Sequence, residues 1–342
     1  MRILKCERAW LCLFLGLFFR MAEAQDLHCS QFWMNAMRIN PATTGLIEGQ
    51  IRAGLYSRTQ WISVTKPYQT NGVWVEAPVW KRKVYQDIFG AGLSVDRDQA
   101  GDSKYRTWQM YGYFSYSKSL NYRNNHFLSI GASAGLSQRQ FNVSDLTTDE
   151  QFQGGIFNPE IPSGEVYPQT SFFYPDLGVG VRWFYKPNLC AFDAGLSLWH
   201  LNRPPQSMLK DPNIRLPMKY TAQFQLHFPI AATFSLTPAL YYSRQQRYNE
   251  VMFGFLASYL YRVDPRGDGR RCFFGLDYRV LDAIYLVTGL QWKQFRLQMS
   301  YDFNVSALSK ASHGRGGFEL SAVYLYKRPY SQHYYKMPCP IF

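Results

Sequence analysis

The chain has 342 residues, of which 46% are hydrophobic, 17% aromatic and only 18% charged, with a formal net charge of +13. Soluble domains carry about 25% charged residues, so this balance excludes an ordinary cytosolic protein and suits a surface that meets lipid, with aromatic residues at headgroup level. Beyond the N-terminus no apolar run approaches the roughly 18 to 20 residues a spanning helix requires. A helical membrane protein is excluded, and the closed β-barrel is the other backbone that satisfies its own hydrogen bonds in lipid.

The first element is a predicted signal peptide over residues 1–24. Arg2, Lys5 and Arg8 are basic, residues 9–19 are apolar, and Ala22-Glu23-Ala24 is an A-x-A cleavage site. Its removal takes four basic and two acidic side chains and lowers the charge from +13 to +11. In an exported chain this basic balance points to anionic lipid headgroups and acidic partners, not to nucleic acid. Residues 25–48 then form a pre-barrel segment.

From residue 49 the sequence alternates apolar and polar residues in runs of about ten, bounded by turn signals. The predicted strands are 49–61, 72–80, 88–97, 107–118, 127–138, 174–185, 189–200, 217–228, 231–244, 250–262, 270–279, 282–291, 293–303 and 317–327. In the thirteenth, Phe295, Leu297, Met299, Tyr301 and Phe303 share one face, and Arg296, Gln298, Ser300 and Asp302 the other. The fold class is therefore all-β, a transmembrane antiparallel barrel of about 14 strands over 49–327. The same alternation would fit a soluble sandwich, and the signal peptide favours the barrel. The longest gaps, 139–173, 201–216 and 304–316, all follow odd-numbered strands, as external loops should in a barrel that starts from the periplasm. Residues 328–342 form a short tail, too rich in proline for a strand, expected at the periplasmic side or in the lumen.

A lumen of this width is too large for strand side chains alone to fill, and the pre-barrel segment is the available plug. The histidines stand in no metal-ligand spacing, and no nucleophile and base are paired, so neither metal, cofactor nor catalytic residue is expected and the chain does not read as an enzyme. Cys29, Cys190, Cys272 and Cys339 survive cleavage. An oxidising compartment permits disulfides, and Cys29 with Cys339, near the two ends, is the candidate pair.

Two motifs add a resemblance. Ser30-Gln31-Phe32, Asn35, Ile39-Asn40-Pro41-Ala42 and Gly45, followed by the strand end Arg58-x-Gln60-Trp61, resemble the N-terminal signature of the PorP/SprF family of Bacteroidota outer-membrane proteins. Ser300-Tyr301-Asp302-Phe303-Asn304-Val305-Ser306, then Ser309 and Gly314-Arg315-Gly316-Gly317-Phe318-Glu319 to Ser321, resemble its C-terminal signature. The resemblance implies an outer-membrane component of the type IX secretion system, coupled in many species to gliding. It implies partners among a PorK/PorN-type ring, a PorM-type motor shaft, an OmpA-like peptidoglycan-binding protein, and a secreted cargo or surface adhesin. The motif residues are then candidates for plug or partner contacts, and the tail for contacts with periplasmic partners. A passive diffusion pore for small solutes is the alternative reading.

Overall fold

The computed structural model of the chain describes residues 29–61, 66–81, 87–101, 104–142, 146, 148–153, 156–158, 160–162, 164, 168–263, 269–306 and 309–327. The predicted signal peptide and tail lie outside the described residues, as does Cys339 and with it the candidate disulfide.

The strands are β1 (Ile51–Gln60), β2 (Tyr68–Lys81), β3 (Ile88–Ala100), β4 (Tyr105–Ser119), β5 (His126–Gln140), β6 (Phe152–Gln153), β7 (Ile156–Phe157), β8 (Ser171–Tyr185), β9 (Ala191–Trp199), β10 (Lys219–Pro229), β11 (Phe234–Gln245), β12 (Tyr248–Val263), β13 (Gly269–Arg279), β14 (Ala283–Trp292), β15 (Phe295–Asn304) and β16 (Arg315–Tyr326). All but β6 and β7 join in one closed antiparallel barrel of 14 strands, in which β5 pairs with β8 and β1 closes the circle against β16. Closure leaves no edge strand to present unpaired backbone to lipid. Among the described residues no helix is long and apolar enough to cross a membrane.

The long connections 141–170, 200–218 and 305–314 share one rim. The other rim carries the short turns 186–190, 230–233 and 293–294, the entry to β1 and the exit from β16. Short periplasmic turns and long external loops identify the first rim as external. At the periplasmic rim Asp87 accepts hydrogen bonds from Ser119 N at 3.1 Å, Tyr116 Oη at 3.1 Å and Lys118 Nζ at 3.2 Å. Burial works against its charge, but these bonds outweigh it and hold the carboxyl below its ordinary value.

The alternation read from the sequence is the alternation of the wall. Along β15 every second side chain, from Phe295 to Phe303, is exposed on the outside, while Arg296, Gln298, Ser300 and Asp302 are buried within. Two details depart from expectation. The second strand begins at Tyr68, not at 72, so the turn-like Asn71-Gly72 lies inside the ladder. A Cβ at Gly72 would stand 2.3 Å from the Tyr56 ring, so glycine serves there to make room and not to turn the chain. The loop 141–170 also holds a hairpin, β6 with β7, which the sequence did not announce.

Candidate functional site

The pre-barrel segment passes through the barrel. It consists of a 3-10 turn, Phe32–Asn35, an α-helical turn, Ala36–Ile39, and a second 3-10 turn, Pro41–Thr43. Nearly every residue from Ser30 to Ile47 is buried. Asn40 starts the last turn in the manner of an N-cap, its Oδ1 accepting from Ala42 N at 2.9 Å with Pro41 at the first position.

The upper end is held by charge. Ser30 Oγ donates to both Asp302 oxygens at 2.8 and 2.9 Å, and Ser30 N and Gln31 N donate to the Glu319 carboxylate at 2.8 and 3.2 Å. Gln31 also donates to Ser300 Oγ at 3.3 Å and accepts from Ser321 Oγ at 2.6 Å. Arg58 Nη2 pairs with Asp302 at 3.0 Å, and Arg279 reaches Glu250 at 3.2 Å, Asp282 at 2.9 Å and Ser30 Oγ at 3.3 Å. Lower down, Arg38 binds Asp96, and Glu76 accepts from Arg52 Nε at 2.6 Å and from Gly45 N at 2.7 Å. Buried ions of both signs thus neutralise one another around a backbone that would otherwise sit unsatisfied in the lumen.

The lower end is held by close approach. Gly90, Ser115, Gly131, Gly180, Ser197 and Thr221 are successive register partners across β3, β4, β5, β8, β9 and β10. This row of small residues is the seat of the segment. A Cβ at Gly131 would stand 2.4 Å from Ala42 N, and one at Gly180 2.0 Å from Asn40 Oδ1. The hydroxyls in the row donate to the segment's carbonyls, Ser197 to Ile39 O at 2.6 Å and Ser115 to Thr44 O at 2.6 Å. Asn40 Nδ2 donates to Val181 O at 2.9 Å and to Leu196 O at 3.3 Å. Gly45 has φ +72°, and a Cβ there would stand 2.4 Å from Gly90 Cα, so both its backbone conformation and its distance from the wall require glycine.

An aromatic group packs about the segment's centre. Phe32 stacks on Tyr241 with ring centroids 5.3 Å apart, and Tyr56, Tyr111, Tyr113 and Trp199 are buried in the same cluster. Asn35 is buried there without a hydrogen-bond partner for either amide atom, at a cavity of about 60 Å³ that also touches Tyr56, Tyr113, Trp199 and Met252. Such a volume has room for a few water molecules. Burial, then the Glu319 carboxylate, push the Cys29 thiol far above its ordinary pKa, so it stays protonated.

The sequence candidates therefore divide. Ser30, Gln31, Asp302 and Glu319 meet in one polar cluster, Phe32 and Asn35 lie at the aromatic centre, and Asn40, Pro41 and Gly45 occupy the glycine seat. Tyr301 and Phe318 point outward, away from all of these. Trp61, at φ 58°, ends β1 with its ring 4.7 Å from Tyr68, and Trp61 N donates to Gly316 O. Asn304 accepts from Ser306 N at 2.9 Å, and Gly314 N donates to Ser309 O at 3.0 Å, which closes the external loop before β16. Arg315 opens β16 opposite Phe303, and Gly316 and Gly317 leave room for the Asp302 backbone and Gln60. The sequence reading missed Arg38, Glu76, Asp96, Arg279 and the small-residue row. Their signal was present, as charged or small residues on the wet face of apolar strands, but assigning it requires the register.

The external rim offers a second surface. Phe152, Ile156 and Phe157 on the β6–β7 hairpin are exposed, as are Leu209 and Ile214 on the loop 200–218. Gln169 Nε2 donates to Ser207 O at 2.9 Å and ties the two loops together.

Comparison with known proteins gives the same architecture. The toluene transporter TodX of P. putida is similar, with a TM-score of 0.50 and 14% identity over 87% of this chain and 95% of that one. A FadL homologue of Pseudomonas aeruginosa aligns with a TM-score of 0.44 and 10% identity over 84% and 93%. At 14% identity the likeness to TodX is one of fold alone. No curated protein sequence matches the chain. The family is one of membrane proteins of a secretion system and not a known enzyme class. The family described as type IX secretion system membrane protein PorP/SprF matches residues 21–324, and the chain belongs to it, an outer-membrane β-barrel of that secretion system.

Proposed function

We propose that the chain is a sealed platform in the outer membrane, which holds a secreted protein or translocon partner on its external loops and couples the secretion machinery to the membrane. The observation that carries this reading is the filled lumen. A diffusion pore needs a continuous wet path, whereas residues 30–47 are hydrogen-bonded to the wall at both ends, nearly all of them are buried, and the cavities found beside them measure about 60 and 10 Å³. The external hairpin supports a binding role, because apolar side chains clustered on a loop outside the lipid are characteristic of protein contact sites. On this reading the periplasmic rim faces the ring, the motor shaft and the peptidoglycan-binding protein implied by family membership.

The test is to delete the gene in its host, restore an affinity-tagged copy, and identify what co-purifies from detergent-solubilised outer membrane. Secretion-ring components or a large secreted protein are expected. Recovery of the barrel alone, with normal secretion in the deletion strain and steady conductance in planar bilayers, would overturn the platform and restore the pore.

A further inference from the structure

The lipid-facing side of the barrel changes character within one step along β2 to β5. Val73, Val95, Met110 and Leu136 are successive register partners across these four strands and form an apolar row, in which Val73, Met110 and Leu136 are more than half exposed. The next outward-facing row toward the external rim holds Arg97, Trp108, Gln138 and Phe173, and the one after it Gln99, Arg106 and Gln140. Alternation keeps the three rows on one face of the sheet. The passage from an apolar band to aromatic and polar side chains places the second row at the headgroup level of the outer leaflet.

At that level two guanidinium groups are drawn together. Arg97 Nη2 donates to Gln99 Oε1 at 2.8 Å, and Arg106 Nε donates to the same oxygen at 3.2 Å. The two nitrogens are therefore no farther apart than the sum of those distances. Arg97 also lies over the Trp108 ring, 5.6 Å from its centroid, which fixes it at the girdle. Both arginines are half-buried and open to the outside. Each guanidinium carries five N–H donors, and these bonds engage one on each. Among the described residues neither has a carboxylate partner, whereas Arg38, Arg52 and Arg182 in the lumen each meet one.

Two like charges on one neutral acceptor repel, and at the edge of a bilayer water screens that repulsion less than at a soluble surface. An anion between them removes it, and the planar fork of arginine matches the oxygens of a phosphate. The occupant must also cover the apolar row about 7 Å below, which calls for hydrocarbon attached to the anion. A phosphorylated lipid meets both demands, and an acidic protein on the external loops meets only the first.

We infer that the outer face of β2 to β5 at the external rim binds a phosphorylated glycolipid of the outer leaflet, with its phosphate between Arg97 and Arg106 and its acyl chains on Val73, Met110 and Leu136. The bound lipid fixes the depth of the wall beside the external loop 141–170, which β5 and β8 carry. This site is independent of the secretion role, because it lies on the lipid face and its test reads lipid binding alone.

The test titrates the purified barrel, in neutral detergent, with diphosphoryl lipid A and counts bound lipid by native mass spectrometry. One tightly held lipid per barrel is expected, with an affinity about tenfold lower in Arg97→Gln with Arg106→Gln. Lipid A stripped of both phosphates should bind the unaltered barrel about tenfold more weakly as well. Arg244→Gln removes an exposed arginine at the external end of β11, where it donates to Gln246 O at 3.4 Å, and should change the affinity by less than about twofold. Heat-modifiable mobility shows which variants are folded, and Arg106→Gln alone, with a smaller loss, carries the test if the double variant is not. Equal affinity in the double variant and the unaltered barrel would overturn the inference. An equal loss in Arg244→Gln would overturn it as well, by reducing the effect to overall charge. So would displacement of the lipid by inorganic phosphate at an equal concentration, because the site would then hold a free anion and not a lipid.

Discussion

At Ser30 and Gln31 the lumenal segment is held by two carboxylates, Asp302 and Glu319, whereas from Asn40 to Gly45 it is held where the wall has no side chains to keep it away. Charge tolerates small shifts, because a hydrogen bond to a carboxylate has two oxygens and broad angles to choose from. Close packing tolerates none, because a methyl group added at Gly131 meets backbone at 2.4 Å. The glycine seat therefore fixes where the segment lies, and the ions fix that it stays.

Breaking an ion pair should cost the most. Glu76→Ala removes the acceptor of both Arg52 and Gly45 N and leaves the Arg52 guanidinium buried without this partner, which should cost about 3–5 kcal/mol. A fall in the urea midpoint for the barrel folded in lipid vesicles measures it, and an unchanged midpoint would mean that the carboxylate anchor is dispensable. Met299→Arg probes neither anchor but the lipid face of β15 beside them, and should cost about 2–4 kcal/mol if that position lies near the midplane. Gly131→Ala forces the Ala42 backbone off its seat at a cost of about 1–3 kcal/mol. Its signature is different, since the barrel should still fold and show heat-modifiable mobility while conductance appears in planar bilayers. Asn40→Ala loses two hydrogen bonds to the wall and one to Ala42 N, for about 1–3 kcal/mol. Its conductance should rise less than that of Gly131→Ala if packing dominates at this end.

Cys29 reports on the upper anchor without a large change in stability. Its half-buried thiol packs against the aromatic cluster and is held above its ordinary pKa, by burial first and then by the Glu319 carboxylate, so at neutral pH it should react with maleimide more slowly in the native barrel than in the unfolded chain. In Glu319→Gln, labelling should accelerate as the hold on Ser30 and Gln31 loosens. Equal rates in both proteins would separate the thiol's burial from the carboxylate anchor.

The strands were legible because lipid outside and a polar lumen inside impose a period of two, as the run from Phe295 to Asp302 shows. The external loops were legible because the chain reverses at predictable intervals. The start of the second strand at Tyr68 was missed, since Gly72 accommodates Tyr56 and only the ladder between β1 and β2 brings that ring near. The β6–β7 hairpin escaped because its strands have two residues each, too short for any period.

By itself, then, the sequence determined export, the fold class, the strand order, the lumenal and lipid faces, and the motifs that belong to PorP/SprF proteins. Each of these is local, readable from residues within about ten positions of one another or from a signature. Only the tertiary structure decided how the pre-barrel segment is gripped. Arg58 meets Asp302 across 244 positions and Ser30 meets Glu319 across 289, and the row from Gly90 to Thr221 becomes continuous only when six strands are set in register. Closure of the barrel brings such residues together, and no local pattern records which positions closure will align.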